Sequence, residues 1–267
     1  MINFSVLMSI YSKEKPKYLI ECLDSILDQS IQPTEVIIVQ DGYIPISLQN
    51  VLKKYRRVLN IMTPVLKKSE GLGNALNIGL MYCNYEFILR VDADDVNLPT
   101  RFEENIKYLN QGYDLVGSYI QEFNSKKISK IRMVPLTQEE IRFFCKFRSP
   151  FNHMSVGYRK SIVLQAGGYS TDFLFKEDYH LWIKVILISK KICNIPNVLV
   201  LARFNEASLA RRGGFLYVYS EYKLQKFLYN KGLSNFFEGC FYGFSRSLLF
   251  MLPAKVKLWV YKKFLRK

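Results

Sequence analysis

Three carboxylates, Asp92, Asp94 and Asp95, stand within four residues at the end of an apolar run in the segment EFILRVDADDVNLP, residues 86–99. Side chains this close repel one another unless they are protonated or neutralised by a cation. Mg²⁺ and Mn²⁺ bind with few carboxylates when phosphate oxygens and waters complete the coordination. The spacing leaves two interpretations open: a metal site, or an acidic turn that caps the next helix through Asp95 or Asn97.

The elements that must hold these carboxylates alternate between strand and helix. Apolar runs predict strands in FSVLMSIY, EVIIVQDG, IMTPVLK and EFILRV, and helical periodicity predicts helices in YLIECLDSILDQS, ISLQNVLKKYRR and GLGNALNIGLMYC. Strands that alternate with helices are typical of a parallel sheet covered by helices. The predicted fold class is therefore α/β, with ligands bound outside the carboxyl ends of the strands.

Polar side chains occur at the ends of three of these predicted strands. Ser9 and Tyr11 lie at the end of the first, Asp41 follows the second, and Asp92 and Asp94 follow the run EFILRV. The carboxyl ends of parallel strands meet at one edge of a sheet. We therefore expect these side chains to converge on one crevice.

The chain of 267 residues carries a net charge of +15, which predicts an anionic partner: nucleic acid, a membrane surface or a phosphorylated small molecule. Its five cysteines form no CxxC pair, which favours reduced thiols over disulfides or a zinc site. The N-terminus lacks the basic residues of a signal peptide, and no uncharged apolar segment reaches bilayer length. The sequence thus predicts a protein on the cytoplasmic side.

Two common nucleotide-binding motifs do not match the chain. GLGNALNIG carries Gly71, Gly73 and Gly79, which is not the G-x-G-x-x-G spacing of a dinucleotide-binding enzyme. The phosphate loop G-x-x-x-x-G-K-[ST] does not occur. A sugar nucleotidyltransferase remains an alternative, but the first predicted strand is not followed by a glycine- and lysine-rich triphosphate loop.

Five blocks, in this order, resemble the family 2 glycosyltransferases, and in particular bacterial enzymes that build O-antigen or exopolysaccharide repeat units. The blocks are FSVLMSIYSKEKPKYLIECLDSILDQSIQPTEVIIVQDG, GLGNALNIGL, ILRVDADDVNLPTRFE, SPFNHMSVGYRKSIVLQAGGY and FKEDYHLWIKV, and the resemblance spans residues 3–212. It implies the GT-A fold, a Rossmann-like and mostly parallel sheet flanked by helices. It also implies transfer of a hexose from a UDP-sugar with inversion at the anomeric carbon.

The resemblance assigns roles to the residues at the strand ends. Asp94 matches the metal ligand of the family's D-x-D motif, with Mn²⁺ or Mg²⁺ as the cofactor, and Asp92 matches a position near the ribose or a metal-bound water. Asp41 matches the acidic residue that contacts the uracil edge, while Ser9 and Tyr11 match residues that line the base. Gln40 departs from the family's commoner DDG pattern, which weakens the assignment of the base contacts. Without the resemblance, Asp41 is an ordinary turn residue before a glycine.

An inverting transfer needs a base that deprotonates the acceptor hydroxyl. By resemblance this base is Asp178, with Glu177 as a positioning residue. Both stand at the start of a predicted amphipathic helix that places Leu181, Val185 and Ile188 on one face. Carboxylates in a first helical turn are also ordinary partners of the helix dipole, so their position alone does not identify a base.

Three further positions have two interpretations each. His153 matches a histidine near the sugar or diphosphate, although a lone histidine is more often structural; His180 is assigned no role. Arg90 either faces the nucleotide's phosphates or forms an ion pair that fixes Asp94. Arg211 and Arg212 either close over the diphosphate or form a domain junction or membrane-facing patch.

The last part of the chain is basic. From residue 239 onward it contains no acidic residue, and apolar residues after Pro253 fall on one helical stripe beside lysines: Val256, Trp259, Val260 and Phe264. A basic amphipathic helix with aromatic residues suits the surface of an anionic membrane. A helix packed on the protein with solvated lysines is the alternative.

We therefore predict a transferase domain at 1–212 and a helical, basic, membrane-associated region at 213–267. The expected acceptor is a saccharide linked to undecaprenyl diphosphate at the inner face of the plasma membrane. A nucleic-acid-binding protein with structural carboxylates is the alternative function. It would place basic and aromatic residues together on the sheet or a recognition helix, whereas the positive charge of this chain gathers in the tail.

Overall fold

The computed structural model describes residues 2–124, 127–204 and 213–260. The described strands form one sheet: β1 (Phe4–Ile10), β2 (Glu35–Gln40), β3 (Ile61–Met62), β4 (Phe87–Arg90), β5 (Val96–Asn97), β6 (Leu115–Asn124), β7 (Lys127–Arg132), β8 (Gly157–Arg159) and β9 (Ile192–Arg203). The described helices are α1 (Pro16–Leu27), α2 (Ile46–Tyr55), α3 (Leu72–Tyr82), α4 (Arg101–Asn110), α5 (Gln138–Phe144), α6 (Lys160–Gln165), α7 (Glu177–Ile188), α8 (Phe215–Asn230), α9 (Phe236–Met251) and α10 (Ala254–Val260).

The sheet has the order β3-β2-β1-β4-β8-β6-β9-β5, with β7 paired to β6. β1 pairs in parallel with β2 and β4, and β2 with β3, so the parallel half predicted for the N-terminal region is confirmed. The second half is mixed. β8 runs antiparallel between β4 and β6, while β6 and β9 are parallel. The α/β class is confirmed, although antiparallel pairs in the described part are as frequent as parallel ones.

Two apolar layers cover the two faces of the sheet because successive strand residues point to opposite sides. Val6 and Met8 of β1 belong to the layer that includes α1, α2 and α4. Leu7 belongs to the other layer, with residues of α3, α5 and α7. The site residues at the strand ends are therefore held by a rigid three-layer core.

The third glycine of GLGNALNIG serves helix packing. A Cβ on Gly79 would lie 2.3 Å from Leu7 Cδ1 and 2.9 Å from Val39 Cγ2, so α3 approaches β1 and β2 too closely for any side chain. The helix also buries Leu76 and Leu80, as predicted. This glycine thus fixes the distance between α3 and the sheet, beside the crevice.

The C-terminal helices are attached to α7. Leu224 and Leu228 of α8 pack against Tyr179 and Ile183 in a small separate cluster. Among the described residues, no helix has the length and hydropathy needed to cross a bilayer. The predicted boundary at 212 and 213 falls at the edge of the undescribed residues 205–212 and stays a prediction.

Candidate functional site

The ends of β1, β2 and β4 lie side by side at one edge of the sheet. Ile10 pairs with Gln40, and Leu7 pairs with Arg90, so the residues after each strand are neighbours. The backbone N–H of Asp41 donates to the carbonyl oxygen of Ile10 at 2.8 Å. β2 and β4 lie on opposite sides of β1, so the connections diverge there and leave a crevice of the kind that binds ligands in α/β sheets.

Arg90 is the charged centre beneath the acidic turn. Its side chain is fully buried, at the end of β4, and forms an ion pair with the carboxylate of Asp92. The interpretation of Arg90 as the ion-pair partner of Asp94 was therefore wrong, because the carboxylate that pairs with the guanidinium is that of Asp92. A buried arginine in this position fixes one carboxylate of the turn by direct charge attraction.

The third carboxylate of the turn is structural. Asp95 is buried, and its Oδ1 accepts a hydrogen bond from the backbone N–H of Arg203 at 2.6 Å. Nε of the same arginine donates to the backbone oxygen of Asp94 at 2.8 Å. The capping interpretation for Asp95 or Asn97 is wrong, because α4 begins only at Arg101 and Thr100 occupies the cap position. Arg203 of β9 thus fixes the acidic turn through two hydrogen bonds.

The remaining carboxylate, Asp94, interacts electrostatically with Glu14, a residue that the sequence motifs did not indicate. Burial, and then the charge of Asp92, raise the pKa of Asp94 to about 6. Burial, and then the charges of Asp94 and Asp92, raise the pKa of Glu14 to about 7. Glu14 lies in the loop between β1 and α1. Its position four residues beyond β1 is the signal that could have found it.

A divalent cation fits these residues. No cluster of three or more metal-ligating side chains occurs in the described ranges, so the protein does not build a complete cage there. Mg²⁺ and Mn²⁺ are usually bound through one or two carboxylates together with phosphate oxygens and waters. The mutual repulsion that raises the pKa of Asp94 is the repulsion that a cation would relieve.

Tyr169 is a buried residue that interacts with several of the predicted site residues. Burial raises its pKa, Arg90 acts in the opposite direction, and the charges of Asp178 and Asp92 raise it further. Its hydroxyl lies 3.1 Å from Nε2 of His153. The hydroxyl of Tyr169 therefore contacts His153 and experiences the charges of Arg90, Asp92 and Asp178, which no local sequence pattern indicates.

His153 is a neutral, packed imidazole. Burial, and then the charge of Arg90, lower its pKa well below the usual value. The ring packs edge-on against Tyr169 and at a tilt against Trp182. It can therefore offer a hydrogen bond to a ligand without bringing a positive charge.

Asn77 of α3 anchors Tyr169 through the backbone. Its Nδ2 donates to the oxygen of Tyr169, and its Oδ1 accepts from the N–H of Tyr169, each at 2.8 Å. No local sequence pattern indicates this contact. The helix after GLGN therefore positions a residue that is 92 positions away in the chain.

Glu177 and Asp178 occupy the first turn of α7, as predicted. A Cβ added to Gly73 would lie 3.3 Å from Cγ of Glu177, so the start of α3 adjoins the start of α7. The amphipathic description of α7 was wrong. Its buried residues occupy nearly every side because α8 covers the face away from the sheet, and Ile188 is instead 38% exposed.

His180, which was assigned no role, lies outside the crevice. Its ring stacks on Phe173 with centroids 3.8 Å apart, and it also contacts Phe227 of α8. Burial, and then the charges of Lys184 and Lys231, lower its pKa to about 4. The imidazole is therefore a neutral packing group between α7 and α8.

Asp41 organises the loop that enters α3. Its carboxylate accepts from Ser69 Oγ at 2.9 Å and from the backbone N–H groups of Glu70 and Gly71 at 2.7 Å and 3.1 Å. A carboxylate has about four acceptor positions, so one remains after these three bonds. Asp41 thus has a structural role beyond that of a turn residue.

We expect Asp41→Ala to lower the free energy of unfolding by about 1.5–3 kcal/mol, because the loop loses a charged acceptor. Urea denaturation of Asp41→Ala beside Asp28→Ala measures this effect, since Asp28 is an exposed aspartate at the far end of α1. Equal stability of the two variants would show that the loop does not depend on Asp41.

The other predicted residues are placed less centrally. Ser9 is half-buried at the end of β1, and Tyr11 is 41% exposed just beyond it. Arg211 and Arg212 lie outside the described residues. In the tail, Trp259 is exposed, but Lys257 is buried, with Nζ donating to the oxygen of Phe250 at 3.3 Å.

Comparisons with known proteins agree with this geometry. The profile of glycosyl transferase family 2 matches residues 5–164. The amylovoran biosynthesis glycosyltransferase AmsE of Erwinia amylovora is 35% identical, over 97% of this chain and 98% of its own. The UDP-Gal:alpha-D-GlcNAc-diphosphoundecaprenol beta-1,3-galactosyltransferase of Escherichia coli is 37% identical, over 99% of this chain and 97% of its own.

A solved structure has the same fold. The crystal structure of S. aureus TarS 1-349 in complex with UDP-GlcNAc superposes with a TM-score of 0.69 at 21% identity. The match covers 86% of this chain and 67% of that chain. In two other TarS structures, the present chain spans 66% and 46% of the longer protein. The predicted GT-A architecture, a curled α/β sheet flanked by helices, is confirmed.

Proposed function

Because the chain belongs to glycosyl transferase family 2, we propose that it transfers a hexose from a UDP-sugar to a hydroxyl of a lipid-linked saccharide, with inversion at the anomeric carbon. It is a glycosyltransferase, and its relatives act in the synthesis of polysaccharides. One observation carries the proposal. The ends of β1, β2 and β4 bring Asp41 and the acidic turn of Asp92 and Asp94 to one edge of the sheet, where the buried Arg90 pairs with Asp92.

The donor site lies at the ends of β1 and β2. Ser9 and Tyr11 are at the end of β1, and Asp41 adjoins them with one acceptor position left for the base. A UDP-sugar is mentioned in the name of the E. coli galactosyltransferase and in that of the TarS complex. These facts support a uridine nucleotide as the carrier.

Asp94 and Asp92 would hold the divalent cation, Mn²⁺ or Mg²⁺, together with the diphosphate of the donor. When bound, the cation supplies Lewis acidity that stabilises the departing nucleotide. Arg90 keeps Asp92 in place from below, while Arg203 holds the backbone of Asp94. The neutral imidazole of His153 is available to hydrogen-bond the sugar or diphosphate.

Asp178 is the proposed base. It takes the proton of the acceptor hydroxyl as the oxygen attacks the anomeric carbon, and the bond from that carbon to the nucleotide's oxygen breaks on the opposite face. Glu177, with its pKa raised by burial, lies beside it against α3 and positions the acceptor. Direct displacement needs no covalent sugar intermediate on the protein.

The proposed acceptor is carried on undecaprenyl diphosphate, as in the printed name of the E. coli relative. Such a lipid is presented at the inner face of the plasma membrane, where an anionic surface would attract a chain with a net charge of +15. Residues 1–212 then form the transferase domain, and residues 213–267 form the membrane-associated region.

A thermal-shift experiment tests the donor and metal assignments. UDP with Mn²⁺ at about 100 times the dissociation constant should stabilise the chain by about 2.7 kcal/mol. The midpoint should then rise by about 5–10 °C. EDTA should abolish the shift, and Asp94→Ala should lack it, whereas Asp28→Ala should keep it. A wild-type chain that responds neither to UDP nor to EDTA would contradict the proposed function.

A further inference from the structure

The outer face of α9 carries large apolar side chains and no charged residue. Its large exposed side chains recur at intervals of four and three residues, which places them on one stripe along the helix: Phe237, Phe241, Phe244, Leu248 and Met251. Exposures reach 81% at Phe237 and 73% at Phe244. The other exposed residues of this helix are Phe236, Cys240 and Ser245, so its outer face carries no charge. A water-facing helix normally has charged residues on that side.

The neighbouring helix α8 repeats the pattern with tyrosines. Phe215, Tyr219, Tyr222 and Tyr229 follow the same spacing and are all exposed, and Lys226 completes the stripe. Tyrosine and lysine combine an apolar stem with a polar end. This stripe is therefore suited to a boundary between an apolar phase and water.

The stripe of α8 lies on the side of that helix opposite Leu224 and Leu228, and the stripe of α9 lies on the side opposite Arg246. The inner side of α8 packs on α7 through Leu224 and Leu228. The helices face each other through Glu221 and Arg246, whose side chains form an ion pair at 2.7 Å. The faces turned to the protein and to the partner helix are thus occupied, and the aromatic stripes are left pointing outward.

This surface is large for a water-exposed patch. An aromatic side chain carries about 150–250 Å² of surface, so the two stripes expose on the order of 1,000 Å². The largest apolar patch on a typical monomer is about 300–600 Å², and larger patches mark interaction sites. The hairpin surface therefore has the size expected of an interface.

The sequence from residue 213 onward is strongly basic. Residues 213–267 contain ten Lys and Arg against two Glu, a net of +8. The two acidic side chains are both engaged: Glu221 is fully buried, and Glu238 forms an ion pair with Lys146 at 2.7 Å. On the described hairpin, Lys226 and Lys231 are exposed, so an occupant of the apolar surface meets a basic rim.

We propose that the outer face of the α8–α9 hairpin is the surface by which the protein lies on an anionic lipid bilayer. Aromatic side chains enter the interfacial region, and Lys226 and Lys231 contact the anionic headgroups. A second copy of the chain is the less suitable occupant, because it would bring a like-charged rim against this one. The inference deepens the proposed function, since a lipid-linked acceptor requires the enzyme at the membrane.

Vesicle flotation tests the proposal without donor, metal or acceptor, so its result does not depend on the transferase activity. The wild-type chain should float with phosphatidylcholine vesicles that contain phosphatidylglycerol. The triple variant Phe237→Ser/Phe241→Ser/Phe244→Ser should bind them about 100-fold or more weakly, because each phenyl group loses its burial. The control Val58→Ser/Met81→Ser/Leu164→Ser removes three apolar groups that are each more than half exposed on other surfaces, and it should bind like the wild type.

Two further measurements check the folding of the triple variant and the contribution of the basic tail to vesicle binding. The triple variant should keep the cooperative thermal unfolding transition of the wild type, which shows without any ligand that it is folded. Truncation after Leu252 should weaken binding at low salt but leave binding that resists high salt, because apolar contacts are not screened. Unchanged binding of the triple variant, or complete loss of binding in the truncated chain, overturns the proposal. So does a wild-type dimer in solution that the triple variant fails to form.

Discussion

Asp178→Asn should leave the binding of UDP and Mn²⁺ unchanged and lower the turnover number by a factor of about 10²–10⁴, the usual contribution of a general base. The amide has the size of the carboxylate, so α7 keeps its packing, but it cannot accept the proton of the acceptor hydroxyl. Steady-state transfer to a lipid-linked acceptor gives the turnover number, and the thermal shift with UDP and Mn²⁺ gives donor binding.

Asp172→Asn is the matched control, since Asp172 is an exposed aspartate six residues before Asp178. It should retain normal turnover. Glu177→Gln should have a smaller effect than Asp178→Asn, and that effect should fall mainly on KM for the acceptor. If Asp178→Asn retained near-normal turnover, another group would have to be the base.

Glu221→Ala should lower the free energy of unfolding by about 3–5 kcal/mol, because it removes one partner of a buried ion cluster. The Glu221 side chain is fully buried and pairs with Lys176 at 2.8 Å and Arg246 at 2.7 Å. Burial acts to raise its pKa, yet the two cations hold the pKa below its usual value. Removal of the carboxylate leaves two partly buried cations without a counter-ion. Guanidinium denaturation measures the loss.

The exposed Glu139 provides the control for this variant, because Glu139→Ala should change stability by less than about 0.5 kcal/mol. A double-mutant cycle of Glu221→Ala and Arg246→Met should give a coupling energy above about 1 kcal/mol. A stability of Glu221→Ala equal to that of the wild type would show that the cluster contributes nothing.

The ion cluster of Glu221, Lys176 and Arg246 adjoins the segment that carries the proposed base. Lys176 immediately precedes Glu177 and Asp178, and the neighbouring Phe175 has a positive φ of 65° and stacks on Tyr217 of α8 with centroids 3.9 Å apart. A non-glycine residue with a positive φ is strained, and it keeps this conformation only when the surrounding structure holds it. Helix α8 therefore fixes the segment that leads into the proposed base, and Glu221→Ala should lower turnover as well as stability.

The sequence predicted the parallel half of the fold because its signals are local. Each apolar run, such as EFILRV, is followed at once by its turn and helix, so one short window defines both. The antiparallel half depends on pairing between segments far apart in the chain. β8 has three residues and lies between β4 and β6, and no local pattern predicts that insertion.

The candidate site residues also divide into those with a local sequence signal and those that depend on distant segments. Asp92, Asp94 and Asp178 were assigned from motifs in continuous blocks, and their roles stay predictions. Glu14 and Tyr169 could not be assigned in this way, because their importance comes from neighbours that other segments bring to them. Arg90 shows the limit most clearly: its charge and position suggested an ion pair, but the choice between two carboxylates depended on the direction of a turn.

The surroundings of the cysteines allow chemical labelling of the native chain. Burial raises the pKa of the thiol groups of Cys22, Cys83, Cys145 and Cys193. Cys240 is exposed on the outer face of α9, beside Phe241. A maleimide or a nitroxide reagent should therefore attach at position 240 without prior removal of the other cysteines. A paramagnetic probe there would report immersion depth from its relative collisions with oxygen and with a polar relaxing agent.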